Sequence, residues 1–418
     1  MTTSMTAGDS LATSQRSLGD PEVRHPLWPP LVAGCPTTST DTIAHPLEVD
    51  YAYDKASSAL FTGAGPSAGL STTPGAGHNR WAPLLPPLLA PGLGEGGTPL
   101  IGIGDGVFIK DESRNPTWSH KDRLNRVTTS AAVGVGASGI VVASSGNHGA
   151  SAAAYAARAG LRCVVLASAD MPPAVASFLN AYGAVVLPVP AADRWPLMRL
   201  IVDRTGLHPV SNLAVTHTGH PFGAEGYKTV AYEIFADLGV PSAVFVPTGY
   251  GELLFGVWKG FTELQRLGLA ESVPRIHACE PALGGPLHAA LRQGVPAVRV
   301  DVGDSDAYGI DCAVGSIRGV LAVRGSGGSS LLVSDEQMRA AQAELAGHGL
   351  WAELSAAAGL AGLRSAGQEV EREGPVVCIS TSSGFKDRGV GASPELAAPV
   401  DPSWDEVSRR LHAAGIRD

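Results

Sequence analysis

The stretch GIVVASSGNHGASAAAYAARAGLRCVVLAS (residues 139–168) decides the fold class of this protein. Its apolar run at 139–145 predicts a buried strand, and the Ala-rich segment 149–160 predicts a helix that ends at Gly160. A second apolar run at 163–168 predicts another strand. A strand, a helix and a strand in this order form a βαβ unit, which belongs to a parallel sheet. Ligands of such sheets bind at the carboxyl ends of the strands, so the loop after the first strand is a candidate site.

The same alternation continues along the rest of the chain. It predicts helices at 172–183, 252–268 and 333–349, and strands at 184–189, 243–249 and 376–384. Ser334 is expected to cap the last of these helices, with Gln337 at the capping-box position. On the N-terminal side, residues 1 to about 20 are rich in Ser, Thr and Gly and are expected to be disordered. The prolines of PLLPPLLAPGLGEGGTPL (83–100) predict a loop.

The composition indicates a chain with a substantial buried core. Hydrophobic residues make up 44% and charged residues 17%, which argues against extensive disorder. The net charge of −9 argues against a nucleic-acid partner, because phosphate backbones require a basic surface. The five cysteines form no CxxC pair, so neither a metal site nor a disulfide framework is expected. Since no signal peptide and no membrane-length apolar run is recognisable, a cytoplasmic location without membrane attachment is expected.

The segment KDESRNPTWSHKDR (110–123) holds a lysine in a setting that favours a chemical role. Residues 115–117 form a turn, and Ser119 could cap a helix that starts beside Lys121. The positive end of the helix dipole would favour the neutral, nucleophilic form of Lys121. The alternative is a solvated lysine in a charged surface run, which is the ordinary situation of a lysine.

Three further segments place a loop after a predicted strand. SSGNHG (144–149) offers helix-terminal N–H groups to a carboxylate, and Asn147 adds a side-chain hydrogen bond. PTGYGELLFG (247–256) suits a phosphate held by main-chain donors, although its glycine spacing is neither Walker nor GxGxxG. STSSGFKD (380–387) presents the neutral hydroxyl of Thr381. Each segment could instead be a tight turn without any ligand.

Together and in this order, the four segments resemble the fold-type II enzymes that depend on pyridoxal 5′-phosphate (PLP), and most closely their threonine synthase-like branch. The resemblance extends from GEGGTPL (94–100) to TSSGFKD (381–387), about two thirds of the chain. NPTWSHKDR (115–123) is similar to the family's NPTGSFKDR, and AEGYKTVAYEI (224–234) to its EGxKT segment. Residues 326–363 are similar to its late SGG…VSDEEI…SAA…AGL stretch.

The resemblance implies a role for each matching residue. Lys121 would carry the Schiff base with PLP and transfer protons, and Asn147 would hydrogen-bond the cofactor's O3′. Thr381 would face the pyridine nitrogen, and a hydroxyl there does not keep that nitrogen protonated, which suits elimination better than transamination. The cofactor phosphate would lie against Gly249, Tyr250, Gly251, Glu252 and Leu253, and the substrate carboxylate against Ser144, Ser145, Gly146 and His148.

The implied architecture is α/β, with two domains that each contain a mostly parallel, twisted sheet flanked by helices, and with PLP in the cleft. The expected division is an N-terminal extension at 1–80, a large PLP domain at 81–125 and 222–395, a small mobile domain at 126–221, and a C-terminal tail at 396–418. The enzyme would be a homodimer by analogy with the family.

The implied function is a PLP-dependent lyase or synthase that performs β- or γ-elimination or replacement on a small L-amino acid. Threonine or serine dehydratases and racemases are alternatives on the same fold. An alternative of another class is a non-catalytic amino-acid- or nucleotide-binding homologue, against which the intact Lys121, Asn147 and Thr381 argue. A dinucleotide-binding oxidoreductase is disfavoured by the spacing of the glycines.

Four positions depart from the family pattern. Trp118 and His120 replace the Gly and Phe of NPTGSFKDR, which predicts a smaller and more polar pocket. His220 and Gly223 stand where threonine synthases have the Asn and Arg of NPxRxEGQKT, which help to bind phosphate groups, including that of phosphohomoserine. Their replacement predicts a specialised biosynthetic role rather than threonine synthesis.

Overall fold

The computed structural model describes residues 10–61, 77–214, 216–367, 374–388 and 401–416. The strands are β1 Ala12–Ser17, β2 Arg24–Pro26, β3 Leu47–Tyr51, β4 Leu100–Gly104, β5 Val107–Asp111, β6 Gly139–Ala143, β7 Arg162–Ala167, β8 Val185–Pro188, β9 His208–Pro209, β10 Ala243–Pro247, β11 Arg275–Pro281, β12 Ser330–Val333 and β13 Val376–Ser380. The helices are α1 Lys121–Gly134, α2 Asn147–Arg158, α3 Pro173–Ala181, α4 Arg194–Thr205, α5 Gly223–Tyr227, α6 Thr229–Leu238, α7 Glu252–Arg266, α8 Pro286–Gln293, α9 Ile317–Ser326, α10 Asp335–Gly347, α11 Ala358–Ala366 and α12 Trp404–Ala413.

The chain divides into two compact units, residues 1–388 and residues 389–418. The second unit contains α12, and the first contains every sheet. No helix in the described ranges combines the length and the apolar character that crossing a membrane requires.

The larger sheet has the strand order β12-β11-β10-β13-β5-β4, and its pairs are parallel except for β4 with β5. Every residue of β10 is buried. Val244 and Val246 join the core that contains α7, whereas Ala243 and Phe245 join the core that contains α11. Since side chains alternate along a strand, both faces of the sheet are covered by helices, which explains the unbroken apolar run of this strand. The predicted α/β class with mostly parallel sheets is confirmed.

A smaller sheet, β8-β7-β6-β9, is parallel throughout and is built from residues 139–209. In helix α2, Ala152, Ala153 and Ala156 are completely buried. Because these side chains are small, the helix can lie close to the strands. This sheet falls inside the range expected for a small mobile domain. Residues 1–388 form one compact unit, so the boundaries at 126 and 221 and the mobility remain a prediction.

The N-terminal region forms an antiparallel sheet of order β2-β1-β3. The expectation of disorder is therefore wrong from residue 10 onward, while residues 1–9 lie outside the described ranges. The strand β1 is polar, and it is held in place by hydrogen bonds and ion pairs of its side chains rather than by burial of apolar side chains. The buried Gln15 side chain donates to three carbonyl groups at distances of 2.8, 3.0 and 3.2 Å, and Arg16 pairs with Glu48 and Asp50. Side-chain partners of this kind are not visible in composition.

The strand β3 attaches this sheet to three helices. The carboxylate of Glu225 in α5 accepts a hydrogen bond from Val49 N (3.1 Å), and Lys259 of α7 donates to Val49 O (2.7 Å). Arg318 of α9 donates to Leu47 O (2.6 Å). These contacts satisfy buried backbone groups of β3 with charged side chains from distant parts of the sequence.

Local signals predicted the helix termini well. Ser334 caps α10, and Gln337 completes the capping box as predicted. The helix α1 begins at Lys121, but its N-cap residue is His120 rather than Ser119. The Ser119 hydroxyl accepts the N–H of Lys121 at 3.2 Å, so this side chain still serves the helix terminus.

Candidate active site

A cavity of about 240 Å³ lies at the carboxyl ends of β6, β10 and β13. Its lining includes all the predicted site residues: Lys121, Ser144, Ser145, Gly146, Asn147, His148, Gly249, Tyr250, Gly251, Glu252, Leu253 and Thr381. Parallel strands end at the same edge of a sheet, which is why loops so far apart in sequence meet here. Within the described ranges, the lining contains no residue before His120, so the N-terminal sheet does not contribute to it.

Lys121 extends from the first turn of α1 into this cavity. Its Nζ donates to the hydroxyl of the fully buried Tyr227 at 3.0 Å. Burial lowers the pKa of Lys121, while the carboxylate of Glu252 opposes that shift. The amine is therefore easier to deprotonate than an exposed lysine, as a nucleophile requires.

His120 fixes the start of α1 against the loop after β13. Its N–H and its ring Nδ1 both lie within hydrogen-bonding distance of Thr381 O, at 2.9 and 3.1 Å, and its ring stacks on Tyr227. Burial and the neighbouring Lys121 keep the pKa of His120 well below its ordinary value, so the ring is neutral. Thr381 and Lys121 are thereby held on adjoining walls of the cavity.

The loop 144–149 joins β6 to α2. A Cβ at Gly149 would lie 2.8 Å from Ser144 O, so only glycine permits this tight approach. Ser145 Oγ accepts the N–H of Ser168 at 2.7 Å, and His148 Nε2 lies 3.0 Å from Val210 O. Burial lowers the pKa of His148 to about 3. The His148 ring therefore anchors the loop as a neutral group and is not a cation for a substrate carboxylate.

Asn147 has a buried partner that the sequence did not identify. Its Nδ2 donates to Glu353 Oε2 at 2.7 Å, and the same carboxylate accepts a hydrogen bond from Ser382 Oγ. Burial raises the pKa of Glu353 despite these two bonds. The remaining oxygens, Asn147 Oδ1 and Glu353 Oε1, have no hydrogen-bond partner among the described residues. The usable signal was a lone acidic residue in the otherwise apolar segment LWAELSAAAGLAGL (350–363).

The glycine loop after β10 leads into α7. Gly251 has φ +84°, and a Cβ there would lie 3.1 Å from Gly319 Cα. A Cβ at Gly249 would lie 2.9 Å from Cys312 Sγ. The backbone of this loop is thus kept bare beside the first turn of α7, whose N–H groups have no partners within the helix. Bare backbone at a helix N-terminus is the usual setting for a bound phosphate.

The four departures from the family pattern lie in different places. Trp118 is 40% exposed, contacts Phe178 and Phe385, and does not line the cavity, so the expected narrowing by this residue is wrong. His120 does line it. His220 is buried outside the lining, with its Nε2 at 3.0 Å from that of His208. Gly223 lies beside the side chain of Glu252.

Comparisons with known proteins agree with this geometry. The family profile described as "Pyridoxal-phosphate dependent enzyme" matches residues 92–382. A threonine synthase of Methanosarcina acetivorans is 32% identical over 330 residues, which cover 74% of this chain and 80% of the relative. A threonine synthase of Mycobacterium tuberculosis is 33% identical over 333 residues, with coverages of 74% and 88%.

Solved structures share the fold at lower identity. Maize serine racemase superposes with a TM-score of 0.61 at 19% identity, covering 76% of this chain and 93% of its own. The processed form of threonine deaminase isoform 2 from Solanum lycopersicum gives a TM-score of 0.58 at 19% identity, with coverages of 76% and 88%. The predicted cofactor and enzyme class, a PLP-dependent lyase of threonine synthase-like type, are confirmed. The chain belongs to the pyridoxal-phosphate dependent enzyme family.

Proposed function

We propose that this protein performs β- or γ-elimination or replacement on a small L-amino acid, with Lys121 as the residue that attaches PLP and moves the Cα proton. One observation carries the proposal. Lys121 Nζ lies in the cavity and donates to a neutral phenol rather than to a carboxylate. Because burial also lowers its pKa, the amine can act both as a nucleophile and as a proton acceptor.

The other groups of the cavity fit PLP. The bare loop at Gly249 and Gly251 and the first N–H groups of α7 would hold the phosphate, together with the backbone of Tyr250, Glu252 and Leu253. The second N–H of the Asn147 amide would bind the phenolic oxygen, and the Thr381 hydroxyl would meet the pyridine nitrogen without charging it. When bound, PLP supplies the electron sink that makes the Cα hydrogen of an amino acid acidic.

The loop at the start of α2 would bind the substrate carboxylate. Ser144 and Ser145 offer hydroxyl donors there, and Ser145 also its backbone N–H. The N–H of Gly146 donates to Ser144 Oγ at 3.2 Å and would have to turn from it to the carboxylate. His148 would contribute its backbone N–H, because its ring is engaged with Val210 O. The size of the cavity supports a small substrate. The cytoplasmic location and the homodimeric state are proposed from the family resemblance.

An absorption spectrum tests the proposal. The native protein is expected to show an absorption band of the bound cofactor near the edge of the visible range, and Lys121→Ala is expected to lose this band. Lys55→Ala, which changes an exposed lysine, is the matched control and should keep the band. A native protein without the band after addition of PLP would favour a non-catalytic binding protein. Release of a keto acid from serine or threonine would instead identify the dehydratase reaction, and inversion at Cα a racemase.

A further inference from the structure

We propose that the cavity selects an amino acid whose leaving group is uncharged, such as a hydroxyl or an acyl ester, and rejects a phosphorylated side chain, with Glu252 as the discriminating residue. This inference rests on the proposed function and adds the substrate class. It is carried by the position of one carboxylate and by the charges that surround it.

Glu252 is the first residue of α7, and its side chain points to a space left by two glycines. A Cβ at Gly219 would overlap the Glu252 carboxylate, and a Cβ at Gly223 would lie 3.4 Å from its Oε1. Both Glu252 and Gly219 line the cavity. Any residue larger than glycine at 219 would displace the carboxylate, so the chain makes room for a negative group at this wall.

The carboxylate of Glu252 is not neutralised by a hydrogen-bonded partner. Its Oε1 lies 3.7 Å from Arg318 Nη1 and has no hydrogen bond within the described part of the chain. Arg318 in turn directs its donors to Thr218 O and Leu47 O. The Arg318 charge therefore offsets Glu252 at a distance and is not free to receive an anion.

His217 does not supply a positive charge at this wall either. Its Nε2 lies 4.0 Å from Glu252 Oε2, and its ring stacks on Tyr250 with 4.0 Å between centroids. Burial and the nearby Arg318 keep the pKa of His217 well below its ordinary value, so the imidazole is neutral. The cofactor phosphate would bind the backbone N–H groups of this loop, whereas a phosphate on the substrate side chain that approached the Glu252 side chain would meet a carboxylate beside a neutral ring.

Two further acidic residues line the cavity. Asp311 and Glu353 each present an oxygen without a hydrogen-bond partner among the described residues. Once Lys121 is committed to the cofactor, Arg194 is the cation left in the described lining, where its Nη2 donates to Ser168 Oγ and its Nε has no hydrogen-bond partner among the described residues. A phosphomonoester adds a charge of about −1.5 to −2 at neutral pH. Carboxylates repel this charge more strongly in a buried site than in water, because the effective dielectric constant is lower there.

Burial raises the pKa of Glu252, while the charges of Arg318 and Lys121 oppose that shift. An ionised Glu252 carboxylate repels an incoming anion, and the anion would in turn raise the pKa of Glu252 further. An uncharged hydroxyl or ester avoids the conflict, and a hydroxyl can donate to the unpaired Oε1.

Equilibrium spectral titrations of the PLP-loaded protein test the inference in matched ligand pairs. The pairs are L-serine with O-phospho-L-serine and L-homoserine with O-phospho-L-homoserine. The uncharged member of each pair is expected to bind at least about tenfold more tightly. Glu252→Gln should raise the affinity for the phosphorylated member of each pair, relative to the uncharged member, by about tenfold or more. Glu344→Gln, which changes a carboxylate that pairs with Arg364 outside the cavity, should leave this ratio of affinities unchanged.

Tighter binding of the phosphorylated members to the native protein would overturn the inference, even if Glu252→Gln failed to fold. An unchanged preference in a folded Glu252→Gln protein would overturn it as well. Both results leave the proposed function intact, because the cofactor band and its response to ligand would still be present. Absence of the cofactor band from the native protein would instead remove the proposed function and this inference together.

Discussion

Replacing Arg123 should destabilise the protein strongly, because this side chain holds together the buried charges beneath the lysine-bearing helix. Arg123 is fully buried, two residues after Lys121. Its guanidinium donates to both carboxylate oxygens of Glu112, at 2.7 and 2.8 Å, and to both of Glu233, at 2.7 Å each. Arg123→Leu removes these four charge-assisted bonds and leaves two buried carboxylates with Lys110 as their near cation.

Breaking a buried ion pair from one side costs about 3–5 kcal/mol, a large share of the ~5–15 kcal/mol by which native proteins are typically stable. Urea unfolding of the cofactor-free protein, followed by far-UV circular dichroism, measures this loss. Arg123→Lys keeps the charge but cannot bind two carboxylates in a fork, so an intermediate loss is expected. Arg364→Leu, which breaks a surface pair with Glu344, is the control and should cost less than about 1 kcal/mol. A loss of that small size for Arg123→Leu would refute the reasoning.

The same network predicts how stability depends on pH. Burial opposes ionisation of Glu112 and Glu233, but the charge of Arg123 outweighs it and holds both pKa values below their ordinary 4.5. A depressed carboxylate pKa contributes stability that is present above the unfolded pKa and is lost as pH falls towards the folded value. The native protein should therefore lose stability below about pH 4.5, and Arg123→Leu should show a weaker dependence there.

Two further variants separate positioning from folding. Glu353→Gln removes the charge that holds the Asn147 amide, so cofactor affinity should fall by about tenfold, measured by fluorescence titration. The free energy of unfolding near pH 7 should stay equal or rise in this variant. Burial raises the pKa of Glu353, so ionising this carboxyl group costs stability as the pH increases. A loss of both cofactor affinity and unfolding free energy would contradict this prediction. Tyr227→Phe removes the acceptor of Lys121 Nζ, so the pH at which the rate of PLP incorporation is half-maximal should move to lower values. An unchanged pH profile would argue against that hydrogen bond.

The sequence predicted what local patterns determine. The capping box at Ser334 and Gln337 and the helix that begins at Glu252 are set by neighbouring residues, and both are found where expected. The meeting of three loops in one cavity also followed, because parallel strands end at a common edge. The family resemblance added roles that residue patterns alone left open.

Partners distant in sequence could not be predicted. Asn147 and Glu353 are 206 residues apart, and no short motif links an amide to a carboxylate at that separation. Lys121 and Tyr227 are 106 residues apart. The strand β1 was missed for the same reason, since its Ser- and Arg-containing sequence is stabilised by side chains of other segments. Trp118 was expected in the pocket because it adjoins the lysine in sequence, but its backbone has φ +63° and its ring contacts Phe385.

The attachment of β3 has a consequence for synthesis on the ribosome. Leu47 O is bound by Arg318, 271 residues later, and Val49 by Glu225 and Lys259. The strand β3 is translated before all three of these partners, and the last of them follows 271 residues later. At about 5–20 residues per second, the backbone groups of β3 wait roughly 15–60 seconds for their last partner. Translation therefore exposes β3 to chaperones and proteases for longer than any segment whose partners are its immediate neighbours.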